Sequence, residues 1–240
     1  MLHSITNALL SVVYPQQCQS CTNIVERYSD GTSCRDCWDK TRIFSEKEIL
    51  CQKCGAFLRE SNTTTIAYCQ QCKDHHYDSA RAIGVYHYAL SAAIIDLKRT
   101  PHIASKVRKL LYAAFLRSSF TNTTLLIPVP LSAKRSIERG FNQAELIAKL
   151  LAKETKLPLN TLSLVRIKHT PIHRVAMDKK ARDLTVKNAF EVKRPKLISG
   201  HNILLVDDVF TSGATASYCA EFLKKNGASE VNILTIARAV

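Results

Sequence analysis

Eight of the nine cysteines in this 240-residue chain fall into four Cys-x-x-Cys pairs: Cys18/Cys21, Cys34/Cys37, Cys51/Cys54 and Cys69/Cys72. The pairs are separated by 12, 13 and 14 residues, and this spacing limits what the first third of the chain can become. One such pair presents two thiolates from a tight knuckle, and a second knuckle completes a tetrahedral four-sulfur site. A disulfide framework is the rival reading. It needs an oxidising compartment, and residues 1–14 show neither a basic n-region nor a small-residue cleavage site. Redox chemistry could account for one pair, not for four. Two structural Zn²⁺ ions are therefore expected, with all positions filled by thiolate and none left for catalysis. Sequential pairing gives one ribbon over 18–37 and another over 51–72; the spacing leaves a cross-braced arrangement open. Gly55, directly after Cys54, suits a knuckle that needs a positive φ. His75 and His76 lie close to Cys72, but with eight thiols to hand they read as solvent-facing.

Charge divides the chain at the same place. Residues 1–80 carry 8 Lys/Arg against 9 Asp/Glu, whereas residues 81–240 carry 26 against 11. A basic excess confined to one region points to a polyanionic partner or substrate. The join falls at 73–80, which gives a module over 1–78 and a second domain over 79–240. No run of 18 apolar residues is present, so no stable membrane insertion is expected. Leu2, Ile5, Leu9 and Val12 have helical spacing, and residues 1–14 read as a short amphipathic helix packed on the body.

The most informative stretch is NILLVDDVFTSGATASYCAEFLKKN, over 202–226. Residues 203–206 form a continuous apolar run suited to a strand buried on both faces. Asp207 and Asp208 follow at its carboxyl end, where open α/β sheets bind ligands. Thr211, Ser212, Gly213, Ala214 and Thr215 then lead into a helix pattern. Small and hydroxylated residues at a helix start leave N–H groups for an anion. A strand ending in a capped helix would explain the apolar run but not two acids in tandem. Cys219, inside the next helix, reads as a core residue. A second apolar strand at 125–129 leads to Lys134, Arg135 and Arg139, then to a helix with Ala144, Ile147, Ala148 and Leu151 on one face. Strands are also expected at 82–88 and 231–237. Strands alternating with helices give a parallel, doubly wound α/β sheet with helices on both faces.

The 203–215 segment resembles the phosphoribosyl-pyrophosphate motif of type I phosphoribosyltransferases. By that resemblance the fold is type I phosphoribosyltransferase-like, with the zinc module added in front. Asp207 and Asp208 would meet the ribose hydroxyls, and Thr211 to Thr215 would cradle the 5′-phosphate. The loop bearing Lys134, Arg135 and Arg139 would meet pyrophosphate, and Mg²⁺ would accompany the ligand. Combined with the cysteine pairs and the phrase PVP…RGFNQ, the chain resembles the ComF family, including its GntX-type relatives. That resemblance places a mobile lid at 166–190, where Arg166, Thr170 and Arg182 match. It implies a cytoplasmic competence protein that binds phosphoribosyl pyrophosphate and handles incoming single-stranded DNA during natural transformation. A competence helicase or recombination factor would be its protein partner. Tyr86, Tyr88, Tyr112, Phe115 and Phe141 could stack on bases, or simply fill the core. The alternative is an active phosphoribosyltransferase acting on an unidentified nitrogen acceptor.

Overall fold

The computed structural model describes residues 15–46, 48–58, 68–118, 120–168 and 189–240. The helix expected over 1–14, and Thr170 and Arg182 of the expected lid, lie outside the described residues.

Four strands form the central sheet: β1 (Ser79–Val85), β2 (Leu125–Pro128), β5 (Asn202–Phe210) and β6 (Glu230–Arg238). All pairings are parallel, in the order β1-β6-β5-β2. A small antiparallel pair, β3 (Leu164–Arg166) and β4 (Phe190–Val192), lies apart. Successive strand residues point to opposite faces, and the strands are apolar on both. Ile203, Leu205, Val231 and Ile233 pack on one side with Cys219, Ala220 and Leu223 of helix α6 (Ala214–Lys225). Leu204, Val206, Leu234 and Ile236 pack on the other. Their partners there come from α2 (Tyr88–Leu97), α3 (Ser105–Arg117) and α5 (Gln143–Thr155). This is the doubly wound arrangement that the sequence pattern predicts.

Two strand boundaries differ from expectation. β5 runs on past the apolar segment to Phe210, because its ladder with β6 continues: Asp207 lies opposite Thr235 and Val209 opposite Ala237. The tandem acids therefore belong to the strand itself, as its sixth and seventh residues, and point to its two faces. β1 begins at Ser79, paired with Asn232, and ends at Val85. Tyr88 takes φ 41° and opens α2 instead of extending the strand.

The cysteine-rich segment is bound tightly to this sheet. Thr41 to Phe44, the spacer between the two cysteine clusters, runs antiparallel beside β1. Phe44 N–H donates to Ile83 O at 2.9 Å, and Val85 N–H to Arg42 O at 2.9 Å. Gly84 permits this approach, since a Cβ there would stand 2.2 Å from Arg42 O. At the opposite side of the sheet Leu126 N–H donates to Pro158 O and Asn160 N–H to Leu126 O. Among the described residues no helix is long and apolar enough to cross a membrane.

Candidate functional site

The eight paired cysteines gather into two groups of four, Cys18/Cys21/Cys34/Cys37 and Cys51/Cys54/Cys69/Cys72. The pairing is thus sequential and not cross-braced. In each group all sulfurs lie within 4.8 Å of one another. Sulfur separations are 3.4 Å for Cys21–Cys34 and 3.7 Å for Cys18–Cys37 in the first group, and 3.4 Å for Cys54–Cys69 and Cys69–Cys72 and 3.6 Å for Cys51–Cys72 in the second. A disulfide needs ~2.05 Å, whereas a tetrahedron with ~2.3 Å metal–sulfur bonds has edges of about 3.8 Å. The donor set therefore fits a four-thiolate zinc ion in each group. Burial opposes the Cys18 and Cys51 thiolates, but backbone N–H donors around the knuckles outweigh it and hold both thiols down at about 6. Cys37 and Cys72 are pushed up, first by burial and then by neighbouring thiols. A bound cation would reverse that second effect.

The two clusters are anchored differently. The first has a small core of its own, Val25 with its cysteines and Tyr88. Cys51, Cys54 and Cys72 belong to the main core, with Tyr77, Ala80 and Phe210. Arg238, at the end of β6, is 8% exposed; it donates to Cys54 O, lies 3.7 Å from Cys54 Sγ and covers the Phe210 ring at 4.8 Å. The cation thus faces a centre that carries excess negative charge when four thiolates hold one divalent ion.

A cleft of about 170 Å³ opens at the carboxyl end of the sheet. Asp207 and Asp208 form one wall; Lys98, Arg135, Arg139 and Arg166 supply cations, with Gln143 and Thr215 alongside. A smaller space of about 40 Å³ is lined by Thr211, Gly213 and Thr215, and shares Asp207 and Thr215 with the first. Asp207 Oδ1 accepts from Asp208 N–H at 2.9 Å, and Lys98 Nζ stands 3.7 Å from Asp208 Oδ2. Burial, and then the adjacent Asp208 charge, raise Asp207 well above the usual carboxylate range. Burial lowers Arg135 and Arg166, and each also feels another guanidinium. Like charges crowd on both sides of the cleft, a state that a ligand with hydroxyl donors and an anionic end would relieve.

The RGFNQ phrase acquires a physical reading. Ser132 accepts from Arg135 N–H and starts α4 (Ala133–Arg139), which Gly140 ends at φ 74°. Asn142 caps α5 and donates from Nδ2 to Val129 O at 3.0 Å, tying that helix to the end of β2. Gln143 is 2% exposed; its Oε1 accepts from Arg139 at 2.8 Å. Its Nε2 is among the buried side-chain atoms with no hydrogen-bond partner within the described residues. A buried amide donor without a partner is costly, and this one lines the cleft.

Of the expected ligand residues, Asp207, Asp208, Arg135, Arg139 and Thr215 line the large cleft, and Thr211 and Gly213 the smaller space. Ser212 accepts from Ala214 N–H at 3.4 Å at the helix start. Lys134 does not join them: it lies outside the cleft lining, 4.0 Å from Glu138 one turn on. Lys134 is on the exposed side of α4, where Glu138 is its i,i+4 neighbour. Lys98, at the end of α2, and Arg166, at the end of β3, are also in the site. Arg166 matches the family pattern of the lid segment, whereas Lys98 has no local sequence signal and meets Asp208 only through folding. Tyr86 and Phe115 pack against the core, and Tyr88 against the first cysteine cluster.

Comparison with known proteins agrees with this architecture. A double zinc ribbon domain model matches residues 9–73, and a phosphoribosyl transferase domain model matches residues 96–239. The chain is 30% identical over 216 residues to "DNA utilization protein YhgH" of Escherichia coli strain K12, covering 86% of this chain and 90% of that one. It is 30% identical over 218 residues to "Competence protein F" of Haemophilus influenzae, with the same coverage. With "Competence protein ComFC" of Bacillus subtilis it shares 35% over 116 residues, 48% of this chain and 45% of that one. Solved structures that it resembles include the glutamine phosphoribosylpyrophosphate amidotransferase of B. subtilis (17% identity, 55% of this chain, 27% of that one, TM-score 0.36). An adenine phosphoribosyltransferase is similar over 63% of this chain and 70% of its own (15% identity, TM-score 0.33). With both domain models matched in order, and relatives at this identity spanning nine-tenths of their own length, the chain belongs to the ComF family of double-zinc-ribbon phosphoribosyltransferase-domain proteins.

Proposed function

We propose that this protein binds phosphoribosyl pyrophosphate in the cleft at the end of β5 and acts on single-stranded DNA in a competence or DNA-utilisation role. The observation that carries the ligand assignment is the cleft itself, with two carboxylates opposed by four cations and the buried Gln143 amide. Asp207 and Asp208 would accept from the ribose 2′ and 3′ hydroxyls. Residues 211–215 offer N–H and hydroxyl donors to the 5′-phosphate at the start of α6. Arg135, Arg139, Arg166 and Gln143 would meet the pyrophosphate, and Lys98 stands next to Asp208. Mg²⁺ carried in with the ligand would neutralise pyrophosphate oxygens. In calorimetric titrations with phosphoribosyl pyrophosphate and Mg²⁺ the wild type is expected to bind. Gln143→Leu, which removes the donor but keeps the buried bulk, should weaken binding by about tenfold. Equal affinity in the two proteins would refute the role given to Gln143.

The DNA role is supported by the names of the relatives and by the +14 formal charge, which is concentrated after residue 80. Lysines and arginines along a phosphate backbone release counterions, so affinity for single-stranded DNA should fall steeply with salt. Fluorescence anisotropy with a labelled oligonucleotide across about 50–300 mM salt checks this; binding that ignores salt would exclude the backbone contacts. A helicase or recombination factor remains the proposed protein partner.

The tandem carboxylates also favour a second reading, catalysis of transfer. As the C1–oxygen bond breaks and pyrophosphate leaves, positive charge develops on the ribose ring beside Asp207 and Asp208. A nitrogen nucleophile would then bond to C1 and give up its proton. Pyrophosphate release in the presence of a panel of nucleobases would make the ligand a substrate.

A further inference from the structure

We propose that His75, from the segment that leaves the second zinc ribbon, is a positioning residue for the phosphate-binding loop, so that this ribbon is structurally part of the sugar-phosphate site. The inference rests on the ligand assignment above and deepens it. Gly213, in the middle of that loop, has φ 80° and lies against the imidazole: a Cβ there would stand 2.9 Å from His75 Cε1 and 3.1 Å from Nδ1. The ring is therefore in contact with the loop's backbone and is not the solvent-facing side chain that the sequence suggests.

The imidazole is held from the zinc side. His75 Nδ1 is 2.7 Å from the hydroxyl of Tyr77, which is 1% exposed and packs with Cys51, Cys54 and Cys72. Lys53, between the two cysteines of a knuckle, donates from Nζ to His75 O at 2.6 Å, and His75 N–H donates to Cys72 O at 3.2 Å. The next residue continues the grip: His76 N–H donates to Ser217 Oγ at 3.0 Å in the first turn of α6. Phe210, at the other end of the loop, packs edge-on against Tyr77 at 5.8 Å and lies under Arg238, which reaches Cys54. The loop is thus touched before, within and after its glycine by groups tied to the second cysteine cluster.

A cradle of N–H groups binds an anion well only if its geometry is fixed before the ligand arrives. The 5′-phosphate end of the cleft depends on the loop that His75 supports, whereas Arg135, Arg139 and Gln143 line the larger space, to which His75 does not contribute. Removing the ring should therefore act on one end of the ligand only.

The test uses the full chain loaded with zinc, titrated separately with ribose 5-phosphate and with Mg²⁺-pyrophosphate. His75→Ala is expected to weaken ribose 5-phosphate binding by about tenfold, as expected when one immobilised contact is lost, and to leave pyrophosphate binding and the content of two zinc ions unchanged. His75→Gln, which can still reach the Tyr77 hydroxyl, should recover most of the loss. Unchanged ribose 5-phosphate affinity in His75→Ala would overturn the proposal, and so would an equal loss for both ligands, which would mark a general loosening. Should His75→Ala fail to fold, Tyr77→Phe removes only the hydroxyl that holds the ring and must show the same selective loss; wild-type behaviour there overturns the proposal too. A wild-type protein that binds neither ligand refutes the ligand assignment itself, a result that needs no variant.

Discussion

The double variant Asp207→Asn/Asp208→Asn is expected to lose affinity for phosphoribosyl pyrophosphate by at least about a hundredfold and, without ligand, to melt a few degrees above the wild type. The loss follows from hydrogen bonds to charged acceptors, each worth ~1.5–3 kcal/mol. Two amides in their place offer weaker acceptors and introduce competing donors. The gain in stability follows from what folding does to the pair. Asp207 is raised well above its ordinary range by burial and by Asp208. A carboxyl group whose pKa rises on folding holds its proton more tightly in the folded than in the unfolded chain. Wild-type stability therefore declines as pH rises from about 4, where the unfolded carboxyl titrates, up to the raised folded value. The double variant has no such carboxyls, so this decline should be absent. Losing the Lys98–Asp208 pair works in the opposite direction, but both side chains are partly exposed and such pairs contribute less than ~1 kcal/mol. One kcal/mol moves the melting temperature of a chain this size by ~2–4 °C. Melting curves between about pH 4 and pH 8, with and without ligand, check both halves. A variant that melts below the wild type at neutral pH would show that the acids are not a strained, ligand-ready pair.

Breaking the second cysteine cluster should destabilise the chain more than any change in the cleft. Structural zinc contributes ~10–16 kcal/mol in isolated ribbon-sized peptides, against a typical domain stability of ~5–15 kcal/mol. Cys51, Cys54 and Cys72 share one core with Tyr77, Phe210 and the inward faces of β5 and β6. Cys51→Ser/Cys54→Ser is therefore expected to give protein without a cooperative melting transition. Cys18→Ser/Cys21→Ser removes a cluster with its own small core, and should leave a folded chain with one zinc ion that still binds ligand. The single tryptophan reports the difference. Trp38 follows Cys37, is 5% exposed where that cluster meets the core on the α2 and α3 side of the sheet, and has Lys106 over its ring at 4.5 Å. Its emission should shift to the red in the Cys18/Cys21 variant while the main transition persists. If both variants unfold alike, the clusters form one unit and the asymmetry inferred from their packing is wrong.

How much of this was legible beforehand depended on how local each feature is. The segment from Ile203 to Thr215 announces its strand, its acids and its loop because all three adjoin in sequence. The cysteine pairs announce two metal sites, yet spacing alone could not choose sequential over cross-braced pairing; the sulfur positions did. Lys98 and Asp208 are 110 residues apart, and nothing near Lys98 distinguishes it from the basic residues that follow. Gln143 enters the sequence only as the last letter of the RGFNQ phrase, and its burial with an unpartnered amide gives it a physical role. His75 was misjudged as solvent-facing because its meaning depends on Gly213, whose missing side chain makes room for the ring.

The spacer at Thr41 to Phe44 has one more consequence. A parallel sheet this apolar has two outer strands whose free peptide groups could recruit another copy of the chain. Residues 158–160 shield the β2 flank, and the inter-cluster spacer shields the β1 flank. A polypeptide trimmed to start at Ser79 would keep every ligand-contacting residue and still leave one flank of the sheet bare. The metal-binding module thus also covers an edge that would otherwise be open to pairing with a second copy of the chain.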